Sequence, residues 1–147
     1  MLYQIDTMKS GPIIVIDNDV DDQEVFEDVL KNLGVSNKLV LLDSCFDGLT
    51  YLKTTSEQPF IIFCDVNLPG MGGIEFKRKI DNDPQLRRKS IPFVFYSTSV
   101  DQKTVDDAYT QMTVQGFFQK KNSIEAIKDA IRLILHYWSE CKHPNTK

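Results

Sequence analysis

Apolar residues in this chain follow two alternating patterns. Five short runs are almost entirely apolar, with many β-branched and aromatic members: Ile13–Ile16, Leu39–Leu42, 60–64, 92–96 and Gly116–Gln119. Runs of this kind suit strands covered on both faces. The 60–64 run is the most apolar, and Gly116–Gln119 is marginal alone. Between the runs, apolar residues recur at helical spacing. Val25, Phe26, Val29, Leu30 and Leu33 make one such face, with Gly34 as its stop. Leu49, Tyr51 and Leu52 fall in a second stretch, and Pro59 bars it from the next element. Ile74, Phe76, Lys77 and Ile80 suit a third helix, ended near Asp83-Pro84. A weak, mostly polar helix is predicted over 100–112. Ile124, Ile127, Ile131, Ile134, Leu135 and Trp138 mark one face of a long last helix. Strand followed by helix, five times, predicts an α/β fold with a parallel sheet. Right-handed crossovers put helices on both faces. Five such units predict the flavodoxin-like doubly wound sheet, strand order 2-1-3-4-5.

In such a sheet ligands bind beyond the carboxyl ends of the strands, where the strand order reverses. The residues there are Asp17-Asn18-Asp19 after the first strand, Asp65-Val66-Asn67 after the third, Ser97-Thr98 after the fourth and Lys120-Lys121 after the fifth. Strands 1 and 3 are neighbours in the predicted order, so Asp17 and Asp65 should converge. Two close carboxylates resist ionising together. A hard dication relieves this, and Mg²⁺ accepts one or two carboxylates while keeping several waters. A hydroxyl (Ser97) and an ammonium (Lys120) opposite suit a phosphoryl group. The set reads as a phosphoryl site with Asp65 as nucleophile. Each residue also has an ordinary use. Asp19, Asp21 and Asp22 stand at a helix start, where acids cap and favour the dipole. Asp65 alone could be a turn residue, Ser97 a strand-end hydroxyl and Lys120 a surface cation. The joint pattern after successive strands favours the site.

Composition narrows the function further. At 147 residues the chain is sized for one domain. Its net charge of −4 argues against general nucleic-acid affinity. No apolar run approaches the ~20 residues of a membrane span. Residues 1–10 lack a basic stretch followed by an apolar one, so no signal peptide is expected and the protein reads as cytoplasmic. Cys45 and Cys64 lie in or near apolar runs, as reduced thiols would. Cys141 and His143 lack further ligands for zinc and read as tail. The expected division is an extension over 1–10, one domain over 11–141 and a tail over 142–147.

The stretch Ile61-Ile62-Phe63-Cys64-Asp65-Val66-Asn67-Leu68-Pro69-Gly70-Met71-Gly72-Gly73 is the most specific in the chain. It resembles the receiver domain of bacterial two-component response regulators, especially small stand-alone ones: an apolar strand, the phosphoacceptor Asp, then a Leu-Pro-Gly-Met loop. Ile91-Pro92 through Ser97 is similar to that family's fourth strand with its switch hydroxyl. Gly116-Phe117-Phe118-Gln119-Lys120 is similar to its fifth strand, with a switch aromatic and then the lysine. The resemblance spans Ile13 to about Trp138. It implies phosphoryl transfer from a histidine kinase or phosphotransfer protein onto Asp65, with Mg²⁺ held by Asp17, position 18, Asp65 and the Asn67 backbone carbonyl. Ser97 and Lys120 would contact the phosphoryl oxygens, and Phe117 would turn inward as Ser97 is drawn to them. With no output domain in this length, the signal would leave through the fourth helix, fifth strand and fifth helix, with Tyr109 and the Tyr137-Trp138 pair as candidates to extend that surface and Trp138 favoured instead as core or a helix anchor.

Two departures from the family pattern have consequences. Its acidic pair after strand 1 is Asp17-Asn18 here. An amide oxygen brings no charge, so metal affinity should fall, with Asp19 placed to compensate directly or through water. The usual Lys-Pro is Lys120-Lys121. Without proline a cis bond costs about 2.5–4 kcal/mol, so a trans bond and a shifted loop are expected. These departures motivate a second reading, a pseudo-receiver acting as a constitutive protein-binding module. An aspartate-nucleophile phosphatase is disfavoured because position 67 is Asn rather than a second acid. A flavin carrier is disfavoured because the loop after strand 1, with Asp17, Asp19, Asp21 and Asp22, would repel a phosphate without metal. On the leading reading the protein catalyses its own phosphoryl transfer and acts on no metabolite.

Overall fold

The computed structural model describes residues 10–98 and 100–144. The expected extension, apart from Ser10, and the last three residues of the expected tail lie outside the described residues. Five strands form one parallel sheet: β1 (Ile13–Ile16), β2 (Leu39–Leu42), β3 (Ile61–Cys64), β4 (Phe93–Ser97) and β5 (Gly116–Gln119). Their order is β2-β1-β3-β4-β5, as the alternation of elements implied. β1 is in register with both neighbours, Ile16 pairing with Leu42 on one side and Cys64 on the other. The residues that follow β1 and β3 therefore emerge side by side. The three central strands are buried at every position, whereas β2 and β5 at the edges are only partly so. This explains why Gly116–Gln119 is the weakest strand signal: one side of it faces solvent.

Among the described residues six helices cover the sheet: α1 (Val20–Asn32), α2 (Cys45–Thr54), α3 (Gly73–Asn82), α4 (Pro84–Arg88), α5 (Gln102–Gln111) and α6 (Ile124–Glu140). The sheet divides the core in two. Phe26, Val29 and Leu30 of α1 meet Ile131, Ile134 and Leu135 of α6 over Ile13, Val15, Phe63 and Tyr96. On the other face Leu52, Phe76, Ile80, Leu86 and Ala108 cover Ile14, Ile16, Ile62, Phe93 and Phe95. Among the described residues no helix is long and apolar enough to cross a membrane.

Four details depart from the sequence reading. Asp83-Pro84 ends α3 and also starts a helix: Asp83 accepts hydrogen bonds from the Gln85 and Leu86 N–H groups, and Pro84 opens α4. Proline at the first helical position loses only an N–H that would be unpaired anyway. Ile124 belongs to the apolar stripe of α6 by spacing, yet it is 56% exposed, at the first position of the helix. His143 is not part of a loose tail. It is buried, stacks on the Phe60 ring at 4.7 Å and places Nε2 2.5 Å from the Phe60 carbonyl oxygen. Finally, Lys77 sits on the buried face of α3 with its ammonium 2.8 Å from Asp81 Oδ1 and 3.1 Å from Thr113 Oγ1.

Candidate functional site

The central strands run out at a group of polar side chains. Asp17 follows β1, its N–H bonded to the Leu42 carbonyl, and Asp65 follows β3, its N–H bonded to the Ile16 carbonyl. The sheet ladder thus extends one residue past each strand and holds both carboxylates at its edge. Both are buried. Ser97 closes β4 and is fully buried; its Oγ donates to Asp65 Oδ1 at 2.8 Å. The Asn67 N–H donates to the same oxygen at 3.0 Å, tightening the turn after β3. That turn also requires Gly73: a Cβ there would lie 2.3 Å from the Asp65 carbonyl oxygen, so no other residue lets α3 start this close to the strand.

Lys120 arrives from β5. Its N–H donates to the Ser97 carbonyl at 2.8 Å, which ties it to the end of β4. Its side chain then crosses the strand ends. Nζ lies 3.0 Å from Asp65 Oδ2, 2.5 Å from Asp17 Oδ2 and 2.8 Å from Asp22 Oδ2. Burial alone would make the ammonium easier to deprotonate, but the hydrogen bonds to Asp17 and Asp22 outweigh it, so Lys120 is held well above the usual lysine range and stays charged. Asp17 moves the other way. Burial raises its pKa, and Lys120 offsets only part of that cost.

The fold brings Asp17, Asp65, Ser97 and Lys120 into one hydrogen-bonded group. The Lys120–Lys121 peptide is trans, since the described residues contain no cis bond, and the loop without proline still delivers Lys120 to the carboxylates. Phe117 is half-buried on β5, its ring tilted on Phe95 with centroids 5.2 Å apart. Asn18 is exposed beside Asp17. Asp19 meets the cluster only through its backbone, its N–H donating to Asp17 Oδ1 at 2.9 Å; its carboxylate is the N-cap of α1, where Oδ1 accepts from the Asp21 and Asp22 N–H groups. The third carboxylate on Lys120 is instead Asp22, which position alone had marked as a capping or solvated acid. Gln23 is a further residue that the sequence reading passed over. Its Nε2 donates to the Asp17 carbonyl at 2.5 Å and to Asp43 Oδ1 at 3.0 Å, pinning α1 to the ends of β1 and β2. Nothing local marks Asp22 or Gln23, because their roles depend on where the first turn of α1 crosses the sheet.

Beside Lys120 lies a cavity of about 70 Å³, lined by Asp17, Asp22, Asp65, Tyr96, Thr98 and Lys121 among others. Metabolite and cofactor pockets run to roughly 300–1,000 Å³. The space suits a phosphoryl group and a few waters, and not a flavin.

Fold and site together define a doubly wound α/β domain with a cluster of carboxylates, a hydroxyl and a lysine at the carboxyl ends of its strands. The chain belongs to the response regulator receiver domain family, whose profile matches residues 13–132. It is a receiver of two-component signalling. It is 25% identical over 133 residues to response regulator Rcp1 of Synechocystis sp., across 87% of this chain and 88% of that protein. The fold is shared with the crystal structure of the phosphorylated cyanobacterial phytochrome response regulator RcpA, at a TM-score of 0.83 and 23% identity, across 92% of this chain and 99% of that one. It is likewise shared with the Mn²⁺-bound form of Rcp1, at a TM-score of 0.77 and 24% identity, across 88% and 95%.

Proposed function

We propose that this receiver is switched by transfer of a phosphoryl group from a histidine kinase or phosphotransfer protein onto Asp65, with Mg²⁺ held at Asp17 and Asp65. One observation carries the reading: Asp65 is a buried carboxylate with a hydroxyl on one oxygen and an ammonium on the other. In the transfer an Asp65 oxygen forms a bond to phosphorus while the P–N bond to the donor histidine breaks. The electron pair leaves with the imidazole. Ser97 Oγ and Lys120 Nζ are then released from the carboxylate to hydrogen-bond the phosphoryl oxygens, where new negative charge lies.

The donor set fits a hard dication. Asp17 and Asp65 present oxygens to a single cation already, the Lys120 ammonium. Among the described residues no three His, Cys, Asp or Glu side chains form a ready-made cage, and Mg²⁺ does not need one, since it fills its octahedron with water. Asn18 and the Asn67 carbonyl are the further oxygens at hand. The ion would supply charge neutralisation between Asp17, Asp65 and the incoming phosphoryl. The Mn²⁺-bound relative supports a divalent cation in this fold. Asn18 and Lys121 leave Asp65, Ser97 and Lys120 in contact, so the constitutive binding module gains no support. Incubation with acetyl phosphate and Mg²⁺ should add one phosphoryl mass to the protein, and chelator should prevent it. Absence of any mass gain with Mg²⁺ present would refute the reading.

The output surface proposed is α5, β5 and α6. Tyr109 on α5 and Tyr137 on α6 are 52% and 61% exposed, whereas Trp138 packs into the core beside His143. Phe117 of β5 packs on Phe95 of β4, the strand that Ser97 closes, so movement of Ser97 would be passed to β5 through that strand. Beryllofluoride, a phosphoryl mimic, should therefore shift amide resonances along α5 and β5. A response confined to the neighbours of Asp65 would exclude transmission by this route.

A further inference from the structure

The acidic pair of a receiver is incomplete here: Asn18 takes the place of its second carboxylate. The structure nevertheless holds three carboxylates around Lys120, and the third comes from α1. Asp22 Oδ2 lies 2.8 Å from Nζ, while Asp17 and Asp65 occupy the other sides of the same ammonium. Asp19, the residue nearest in sequence, has an oxygen committed to the helix cap, and Asp21 makes no contact with Lys120 among the described ion pairs. Asp22 is 39% exposed at its side chain, so it stands at the mouth of the site.

We infer that Asp22 is a positioning residue that replaces the charge missing at Asn18. The inference rests on the receiver reading. Two physical effects act in the same direction. A carboxylate this close attracts a dication, at a strength set by partial screening at the mouth of the site. Asp22 also gives the Lys120 ammonium an acceptor outside the Asp17–Asp65 pair. The lysine can then yield those oxygens to a metal without leaving the site, and remains at hand for the phosphoryl group. Without Asp22 the ammonium would have only the two oxygens that a metal needs, and would compete for them.

Mg²⁺ titration of the full chain, followed by NMR through the amides around Asp65, tests this. Asp22→Asn should weaken Mg²⁺ binding about fivefold, and the loss should shrink as salt is raised. Asp21→Asn removes the same formal charge one residue away and should change affinity by less than about twofold. Asn18→Asp should tighten Mg²⁺ binding severalfold more in the Asp22→Asn background than in the wild type, a coupling that a merely structural role for Asp22 would not give. Equal effects of Asp21→Asn and Asp22→Asn, or the same gain from Asn18→Asp in both backgrounds, would overturn the inference and leave the receiver reading standing. A wild-type protein that does not respond to Mg²⁺ at all would overturn both.

Discussion

Asp65→Asn is expected to abolish phosphoryl uptake, reducing the mass gain from acetyl phosphate or a phosphohistidine donor to background. Asparagine keeps the shape and can still accept from Ser97 Oγ and the Asn67 N–H, which now meet on Asp65 Oδ1. It has no nucleophilic oxygen. The fold should survive, because Lys120 keeps Asp17 and Asp22 as partners, so a loss of uptake in a protein with unchanged melting would isolate the chemistry. Lys120→Ala makes an informative contrast. It removes the one cation from among three carboxylates, two of them buried, and should cost both uptake and stability. Undiminished labelling of Asp65→Asn would move the acceptor to another acid, with Asp17 next.

The second large effect is on stability and lies on the other side of the sheet. Lys77 is 4% exposed, and its ammonium is held by Asp81 and Thr113, with the Phe93 ring centroid 5.1 Å away. Asp81 in turn accepts from the Thr113 N–H at 3.0 Å, which clips α3 to the loop before β5. The pair is asymmetric. At Lys77 burial outweighs the pairing with Asp81, and the ammonium titrates below the usual lysine range. At Asp81, which is less buried, burial is overcome by the hydrogen bonds from Lys77 and Thr113, and the carboxyl titrates below its usual range. Asp81→Asn leaves a buried ammonium without its counter-charge and should destabilise by about 3 kcal/mol, the lower end for breaking such a pair. For a chain of this size that is roughly 6–12 °C in melting temperature. Lys77→Met combined with Asp81→Asn should recover most of the loss, since an apolar replacement removes the desolvation cost. Equal stability of the single and double variants would show that Lys77 is neutral or solvated in the fold.

The pH dependence has a definite sign. A depressed Asp81 means that its pairing stabilises the fold above the ordinary carboxylate pKa of about 3.9, and that this contribution is lost as pH falls through the lower folded value. A lowered Lys77 means the opposite for the base: its burial costs stability at neutral pH, and the cost is relieved as pH rises through the folded value toward about 10.4. Below about pH 4 the stability of wild type should therefore drop more steeply than that of the Lys77→Met/Asp81→Asn variant, as urea unfolding across pH would measure.

Much of this molecule is legible along the chain because its signals are local. Ile13–Ile16, Leu39–Leu42 and Gly116–Gln119 are strands at the limits their apolar runs suggest. The strand order follows from alternation and crossover handedness, and it brings Asp17 and Asp65 together without any knowledge of side-chain contacts. Ser97 and Lys120 are found by the same rule, since each closes or follows a strand. Other features carry no local mark. Asp83-Pro84 is a valid helix stop and an equally valid helix start; only the burial of Leu86 against the sheet decides that α4 forms. Ile124 fits the apolar stripe yet is exposed, since periodicity assigns a residue to a face and does not tell whether another element covers it there. His143 looks like tail until Phe60 supplies a ring face and a carbonyl.

Charge placement divides in the same way. That acids, a hydroxyl and a lysine meet at the strand ends is readable along the chain, because a parallel sheet puts all its carboxyl ends on one edge. Along the chain Asp19 ranks above Asp21 and Asp22 as the acid that compensates for Asn18, although all three stand at one helix start. Tertiary structure separated them. The path of α1 across the strand ends turns Asp19 into the cap and brings Asp22 to Lys120, a residue 98 positions away in the chain. Which carboxylate meets a cation depends on the distance between two elements, and that distance exists only once both have packed on the same sheet.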